Sequence, residues 1–252
     1  MGEAPDANAE TNSVWEEAST STAGLLPAMH VVSATEIYAI IGTQVQVWNG
    51  TTWDVHTLNI ANIATSMHFV SPTQIYAVVG DKICMWDGAA WVVITGDQLG
   101  MNVAGSAEFH WVSDNEIYAV VNNSKICWWN GTEWADFTDT ATDLGHAMHF
   151  VSATEIYATI GQKVCKWTGV LGADGAWTDI TVDDAALRDA IHVVAENEIY
   201  AVLGLKICKW DGSTWVVITE DIAELRPSFH YTSDNDIYAI AGTSVHHWTP
   251  AG

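Results

Sequence analysis

Six copies of one unit, four short β-rich runs per copy, and a last copy whose missing run stands at the opposite end of the chain predict an all-β fold. It is a six-bladed β-propeller with four antiparallel strands per blade. Each unit is marked by a His followed eight residues later by the Tyr of an Ile-Tyr pair: His30/Tyr38, His68/Tyr76, His110/Tyr118, His149/Tyr157, His192/Tyr200 and His230/Tyr238. The His-to-His steps are 38, 42, 39, 43 and 38 residues. A period near 40 belongs to stacked supersecondary units rather than to one irregular core.

Within a unit the runs follow in order. The first surrounds the His ("MHFVS"), the second carries the Ile-Tyr pair ("IYAVVG"), the third ends in a Trp ("KICMWDG") and the fourth begins with one ("WVVIT"). All are rich in β-branched and aromatic residues, and no stretch has a helical apolar period. Gln, Glu or Asp precedes each Ile-Tyr pair, at Glu36, Gln74, Glu116, Glu155, Glu198 and Asp236, where it is expected to accept hydrogen bonds in the first turn of the blade. The third and fourth runs are joined by "WNGTTW", "WDGAAW", "WNGTEW" and "WDGSTW", in which Asn-Gly or Asp-Gly supplies the positive φ that a short hairpin needs. The sixth unit stops at "SVHHWTPAG" without a fourth run. Trp15 lies fifteen residues before His30, the same step that separates Trp53 from His68 and Trp215 from His230. The segment around Trp15 is therefore expected to complete the sixth blade and close the ring, removing its exposed strand edges.

Length and a hydrophobic content of 49% fit a single propeller domain over 13–252, with the polar, acidic residues 1–12 as a disordered tail. No signal peptide and no run of transmembrane length is legible, so the expected location is cytoplasmic. Cys84, Cys127, Cys165 and Cys208 occupy one equivalent position in consecutive blades, too far apart to cross-link, and read as reduced, buried, small side chains. A net charge of −23, from 31 acidic and 8 basic residues, excludes nucleic acid and anionic membranes and favours cations or a basic protein partner.

The residues flanking the six His vary while the His does not. Placed on the innermost strand of each blade, His30, His68, His110, His149, His192 and His230 would form a belt in the central channel, at the start of that strand and on the face of the acidic inter-blade loops. Imidazole ligates Zn, Cu, Ni and Fe, so one reading is a single divalent transition metal ion bound by three alternate His or by six with alternating rotamers. The other reading is structural, each His hydrogen-bonding within or across a blade.

The segment "SATEIYAIIGTQVQVWNGTTW" resembles the short bacterial blade repeat built on a Ser-x-x-Asp-Val-Tyr-Ala-Val-Gly strand and an Asp-Gly-x-x-Trp hairpin, in which a Trp usually stands where this chain has His. The Trp-bracketed hairpin is similar to that of bacterial and fungal propeller lectins. That resemblance implies glycan sites between blades, with Trp86, Trp91, Trp111, Trp128, Trp210 and Trp215 as candidate stacking surfaces; Trp111 and Trp128, peculiar to the third blade, are expected to be the exposed ones. The competing reading of the paired Trps is blade-to-blade packing. Near-perfect repetition offers no asymmetric catalytic cluster, so the sequence reads as a non-enzymatic binding protein. Its ligand is expected to be a metal ion at the His belt, with a multivalent lectin and a protein-interaction scaffold as the alternatives.

Overall fold

The computed structural model describes residues 14–101, 108–169 and 175–250. The expected tail at residues 1–12 and the extension of the fourth-blade hairpin at 170–174 lie outside the described residues. Every strand falls into one of six four-stranded antiparallel sheets, and each of the first five blades runs inner, second, third and outer strand in chain order. Blade 1 illustrates the unit: Leu25–Ser33, Glu36–Ile41, Gln44–Trp48 and Trp53–Val55. In blade 6 the outer strand is Val14–Glu17, which pairs antiparallel with Ser244–Thr249 in the register Val14↔Thr249, Trp15↔Trp248, Glu16↔His247 and Glu17↔His246. The ring closes as the Trp15 spacing predicts. Among the described residues no helix is long and apolar enough to cross a membrane.

The second strand forms the core of each blade because both of its faces meet a neighbouring blade. Ile37, Ile75, Ile117, Ile156, Ile199 and Ile237 are fully buried, as are Ala39, Ala77, Ala119, Ala158, Ala201 and Ala239. A strand buried on both sides has no polar face to alternate with, which explains the continuous apolar run in the sequence. The four Cys lie on the third strand beside it, free and buried, and burial pushes the Cys127 and Cys165 thiols up to about 12.

The hairpins use their Asx-Gly pairs in a particular way. Only the Gly has positive φ, +89° at Gly50 and +93° at Gly88, while the preceding Asn or Asp accepts two backbone N–H bonds across a four-residue loop, as in Thr51 and Thr52 donating to Asn49 Oδ1 at 2.9 Å. At Gly50 a Cβ would lie 2.8 Å from Thr35 of the first turn, so a side chain there is excluded by space as well as by φ.

A second six-fold device stands four residues after each outer Trp. Thr57, Thr95, Thr138, Thr181, Thr219 and, at the closure, Ser19 are buried, and each hydroxyl accepts the third-strand N–H of Val45, Ile83, Ile126, Val164, Ile207 or Val245 at 2.9–3.1 Å. This bond satisfies a buried donor where the outer strand leaves the ladder. Thr219→Val keeps the shape and orphans the Ile207 N–H, so it should cost about 1–3 kcal/mol; Thr219→Ser should retain most of that. Equal denaturant midpoints for Thr219→Val and the parent protein would refute this role.

Candidate functional site at the channel axis

The six inner strands contact one another in a closed circle around the axis. In five blades they are nine residues long, and the His is the sixth of them: His30 in Leu25–Ser33, His68 in Ile63–Ser71, His149 in Leu144–Ser152, His192 in Leu187–Ala195 and His230 in Leu225–Ser233. The belt therefore lies toward the end of the strand that turns into the second strand. The acidic inter-blade loops enter at the other end. The expected placement beside those loops is corrected, and the cause is a strand that starts five residues before the His instead of one.

The belt is arranged as three pairs. His30 meets His230, His68 meets His110 and His149 meets His192 edge to face, with ring centroids 5.0, 5.4 and 5.1 Å apart. His30, His110 and His192, one from each pair, also pack closely on an aromatic ring of the next blade, Phe69 at 4.5 Å, Phe150 at 4.6 Å and Tyr231 at 4.8 Å, and His68 meets Trp111 of the next blade at 5.7 Å. Phe69, Phe150 and Tyr231 directly follow the His of blades 2, 4 and 6, so this close packing alternates along the ring. The Val193 N–H reaches His149 Nδ1 at 3.4 Å, which assigns the proton of that ring to Nε2. Burial, followed by the neighbouring imidazoles, pushes His30, His110 and His149 down to about 4, and burial also lowers His68, His192 and His230. The rings are neutral at pH 7. Among the described residues no three His, Cys, Asp or Glu side chains converge on one point as a metal-ligand set.

Beside the belt, on the inter-blade-loop side, a partly open cavity of about 170 Å³ lies between the blades at the axis. Its wall includes Thr65, Ser66, Glu108, Asp189 and Ser228 among methionines and other apolar side chains. Glu108 stands two residues before its His, where the other blades carry Ala28, Ser66, Ala147, Ala190 and Ser228. It is one carboxyl in a ring of five small residues. Glu108 is partly exposed at the cavity wall, and desolvation of the carboxyl pushes it up to about 8. Asp189 accepts the Thr159 hydroxyl at 2.9 Å. The sequence reading passed over Glu108 because it sought what all six blades share. The signal was present as the one copy that breaks a small-residue position.

The Trps are spent between and within blades. Trp86 and Trp210 are 5% and 4% exposed and pack on Trp91 and Trp215 at centroid distances of 6.0 and 5.7 Å. The outer-strand indoles of Trp15, Trp53, Trp91 and Trp134 donate to the preceding blade at Glu220, Thr20, Leu58 and Gly96 carbonyls. Trp111 and Trp128, expected to be exposed, are half-buried: Trp111 stacks on Tyr76 at 4.8 Å and donates to Asp114, and the Trp128 indole nitrogen is buried without a partner. Glu36, Glu116, Glu155 and Glu198 accept hydrogen bonds from the Tyr hydroxyl of the same pair, at 2.9 Å for Tyr38 to Glu36 and 2.8 Å for Tyr157 to Glu155, whereas Asp236 meets His247 Nε2 and Gln74 departs from the expectation by donating its Nε2–H to the Tyr76 hydroxyl.

No protein-family model and no curated protein matches the chain. Solved propeller structures do. A gluconolactonase from Xanthomonas campestris is 11% identical with a TM-score of 0.70, covering 94% of this chain and 90% of its own. A streptogramin B lyase is 10% identical with a TM-score of 0.61, over 94% and 98%. YCF48 from Cyanidioschyzon merolae is 13% identical with a TM-score of 0.59, over 93% and 98%, and a YCF48 bound to a D1 peptide is 13% identical with a TM-score of 0.55, over 94% and 96%. At these identities the likeness is one of fold. It nonetheless corrects the expectation that this architecture is non-enzymatic, since neighbours across nearly the whole chain are named as enzymes. The argument from repetition fails for a physical reason too: Glu108 supplies an asymmetric acidic group on the axis of a repetitive ring.

Proposed function

We propose that the axial cavity is a binding and proton-exchange site for one small neutral or cationic molecule bearing hydroxyl or amine groups, with Glu108 giving and taking the proton. The observation that carries this reading is Glu108 itself, a lone carboxyl where five blades keep Ala or Ser, on the wall of the axial cavity. A general acid-base group is most effective when its pKa lies near the working pH, and burial has moved this one into that range. Asp189 and the Ser and Thr hydroxyls supply further polar partners, and the Asp189 carboxylate disfavours anions. A thermal-shift panel of small polyols, amines and hydroxy acids at pH 7 tests it. A polyol or amine should raise the melting temperature of the parent protein and not of Glu108→Gln, and hydroxy-acid anions should raise neither; ligands that shift both proteins equally would overturn it.

Glu108 also carries a stability signature. Its folded pKa is raised from 4.5 to about 8, so between those values the folded state holds its proton while the unfolded chain releases it, and stability falls as pH rises from 4.5 through 8 and then levels off. Glu108→Gln should therefore be more stable than the parent at pH 9, by on the order of 2 kcal/mol, and similar to it at pH 5. Parallel melting curves at the two pH values would count against a desolvated carboxyl.

A second reading keeps one Zn, Cu, Ni or Fe ion at the His belt, and the paired arrangement is what favours it. Two imidazoles sharing a tetrahedral ion at roughly 2.0–2.1 Å hold their ring centroids about 5 Å apart, the spacing of each pair. Elemental analysis of protein purified without an affinity tag, followed by Zn and Cu titration, tests it. Changing His30, His110 and His192 to Ala removes one member of every pair, and unchanged metal affinity in that variant would exclude this site.

A further inference from the structure

The inner strand continues three residues past each His, and the second of these positions forms a ring of its own. Val32, Val70, Val112, Val151 and Val194 occupy it in blades 1 to 5, 38–51% exposed, with Thr232 in blade 6. In every blade the register of the inner strand against the second strand shifts at this position, and the bulge leaves the valine side chains exposed beside the inner-to-second-strand turns. Five β-branched apolar side chains thus stand open to solvent around one mouth of the channel, above the neutral belt. Surface apolar residues are ordinarily scattered, and a closed ring of them marks a contact surface.

The surroundings of the ring select its partner. The turns just outside it hold eight carboxylates, from Glu36 in blade 1 to Asp236 in blade 6, against two lysines, Lys166 and Lys209. Both lysines are engaged there, Lys166 with Glu155 and Glu196 and Lys209 with Glu198 and Asp234. Among the described residues no other Lys or Arg is spare either. Lys82, Lys125, Lys163 and Lys206 pair with carboxylates, and Arg188 and Arg226 donate to the backbone carbonyls of Leu225 and Leu25 in the next blade. A second copy of this chain would bring the same acidic rim to the contact, and an anionic membrane or nucleic acid would meet the same repulsion.

We propose that this mouth is a docking surface for a basic peptide segment of a partner protein, its aliphatic side chains on the valine ring and its Lys or Arg residues on the acidic rim. Apolar burial at the centre holds the segment, and the charged rim speeds its encounter and rejects acidic competitors. The surface is separate from the Glu108 cavity, so this proposal stands or falls independently of the reading above.

The probe is a fluorescein-labelled twelve-residue peptide of alternating Lys and Leu, followed by anisotropy at physiological ionic strength against the full chain. Control peptides replace Leu by Ser or Lys by Glu. The Lys/Leu peptide should bind one to one, at least tenfold more tightly than either control. The triple variant Val70→Ser, Val151→Ser, Val194→Ser leaves the charge and the buried core intact and should weaken binding at least tenfold, while Glu108→Gln should not. Equal binding of the Lys/Ser peptide would mean charge attraction alone and overturn the proposal. So would unchanged affinity in the triple variant, or an equal loss in Val55→Ser, Val93→Ser, Val217→Ser on the exposed outer strands. Sedimentation of the unliganded protein decides the remaining occupant: a dimer that the valine triple variant dissociates would assign the ring to self-association and overturn it as well.

Discussion

Acidification from pH 7 to pH 4.5 should lower the melting temperature by roughly 10 °C or more, and the His belt should be the cause. His30, His110 and His149 are held at about 4 in the folded protein against 6.5 in the unfolded chain, and their three partners are lowered as well. Between those values the unfolded chain takes up protons that the folded belt refuses, so the stability is complete above pH 6.5 and is lost as pH falls toward 4. A full shift of this size is worth on the order of 3 kcal/mol per ring, and the water that reaches these half-buried rings reduces it, leaving about 5 kcal/mol over the belt. At about 2–4 °C per kcal/mol for a chain of this length, that is a large change.

The direction is diagnostic because two other effects oppose it. Acidifying a chain of net charge −23 toward its pI of 4.4 relieves self-repulsion, and the unfolded chain progressively loses the advantage it gains by ionising Glu108; both stabilise the fold. Carboxylates held low by hydrogen bonds, such as Asp234 and Asp211, begin to lose their contribution only near pH 4 and below. The expected profile therefore peaks between about pH 6.5 and 7 and drops on the acid side, as the folded and unfolded His pKa values dictate. Scanning calorimetry from pH 4.5 to 9 measures it. His68→Phe with His110→Phe keeps an edge-to-face aromatic pair and removes two titrating groups, so its acid limb should be shallower. An acid limb of unchanged slope in that variant would move the effect away from the belt.

What could be read from the sequence was whatever repeats. The four strands, the Gly turns, the buried Cys position and the closure at Trp15 are each present in most or all blades, and repetition turns weak local signals into strong ones. The Thr57 to Thr219 series repeats as faithfully and went unnoticed because Thr in a strand needs no special reason; only the third-strand N–H that it satisfies reveals its role. The pairing of the belt was partly legible, since aromatic Phe69, Phe150 and Tyr231 alternate with Val31 and Val193, but Trp111 interrupts that alternation and hides it. Glu108 was illegible as a site for the opposite reason. It occurs once, and its meaning depends on which residues line the axis, which a single chain does not state.

Deletion of residues 1–20 should reduce stability by as much as a whole domain possesses, because the segment beyond Val14 ties three blades together. Val14–Glu17 supplies the outer strand of blade 6, and without it Ser244–Thr249 becomes a bare sheet edge. The Trp15 indole packs in the cluster of Trp248 and Phe229 and donates to Glu220 of blade 5, Ser19 accepts the buried Val245 N–H, and the Thr20 carbonyl receives the Trp53 indole of blade 1. Removing a packed Trp alone costs about 3–5 kcal/mol, and each orphaned buried N–H about 1–3 more. Together these approach the 5–15 kcal/mol that holds a typical domain folded. The truncated chain should melt at least 15 °C lower, or fail to fold, and should self-associate through the open edge. Trp15→Ala keeps the strand and removes the anchor, so it should fall between the two. Because the ring is closed by hydrogen bonds and packing alone, a synthetic peptide of residues 1–20 added in trans should restore part of the loss. A truncated protein that melts at the parent temperature would show that the ring does not depend on this strand, whatever its register.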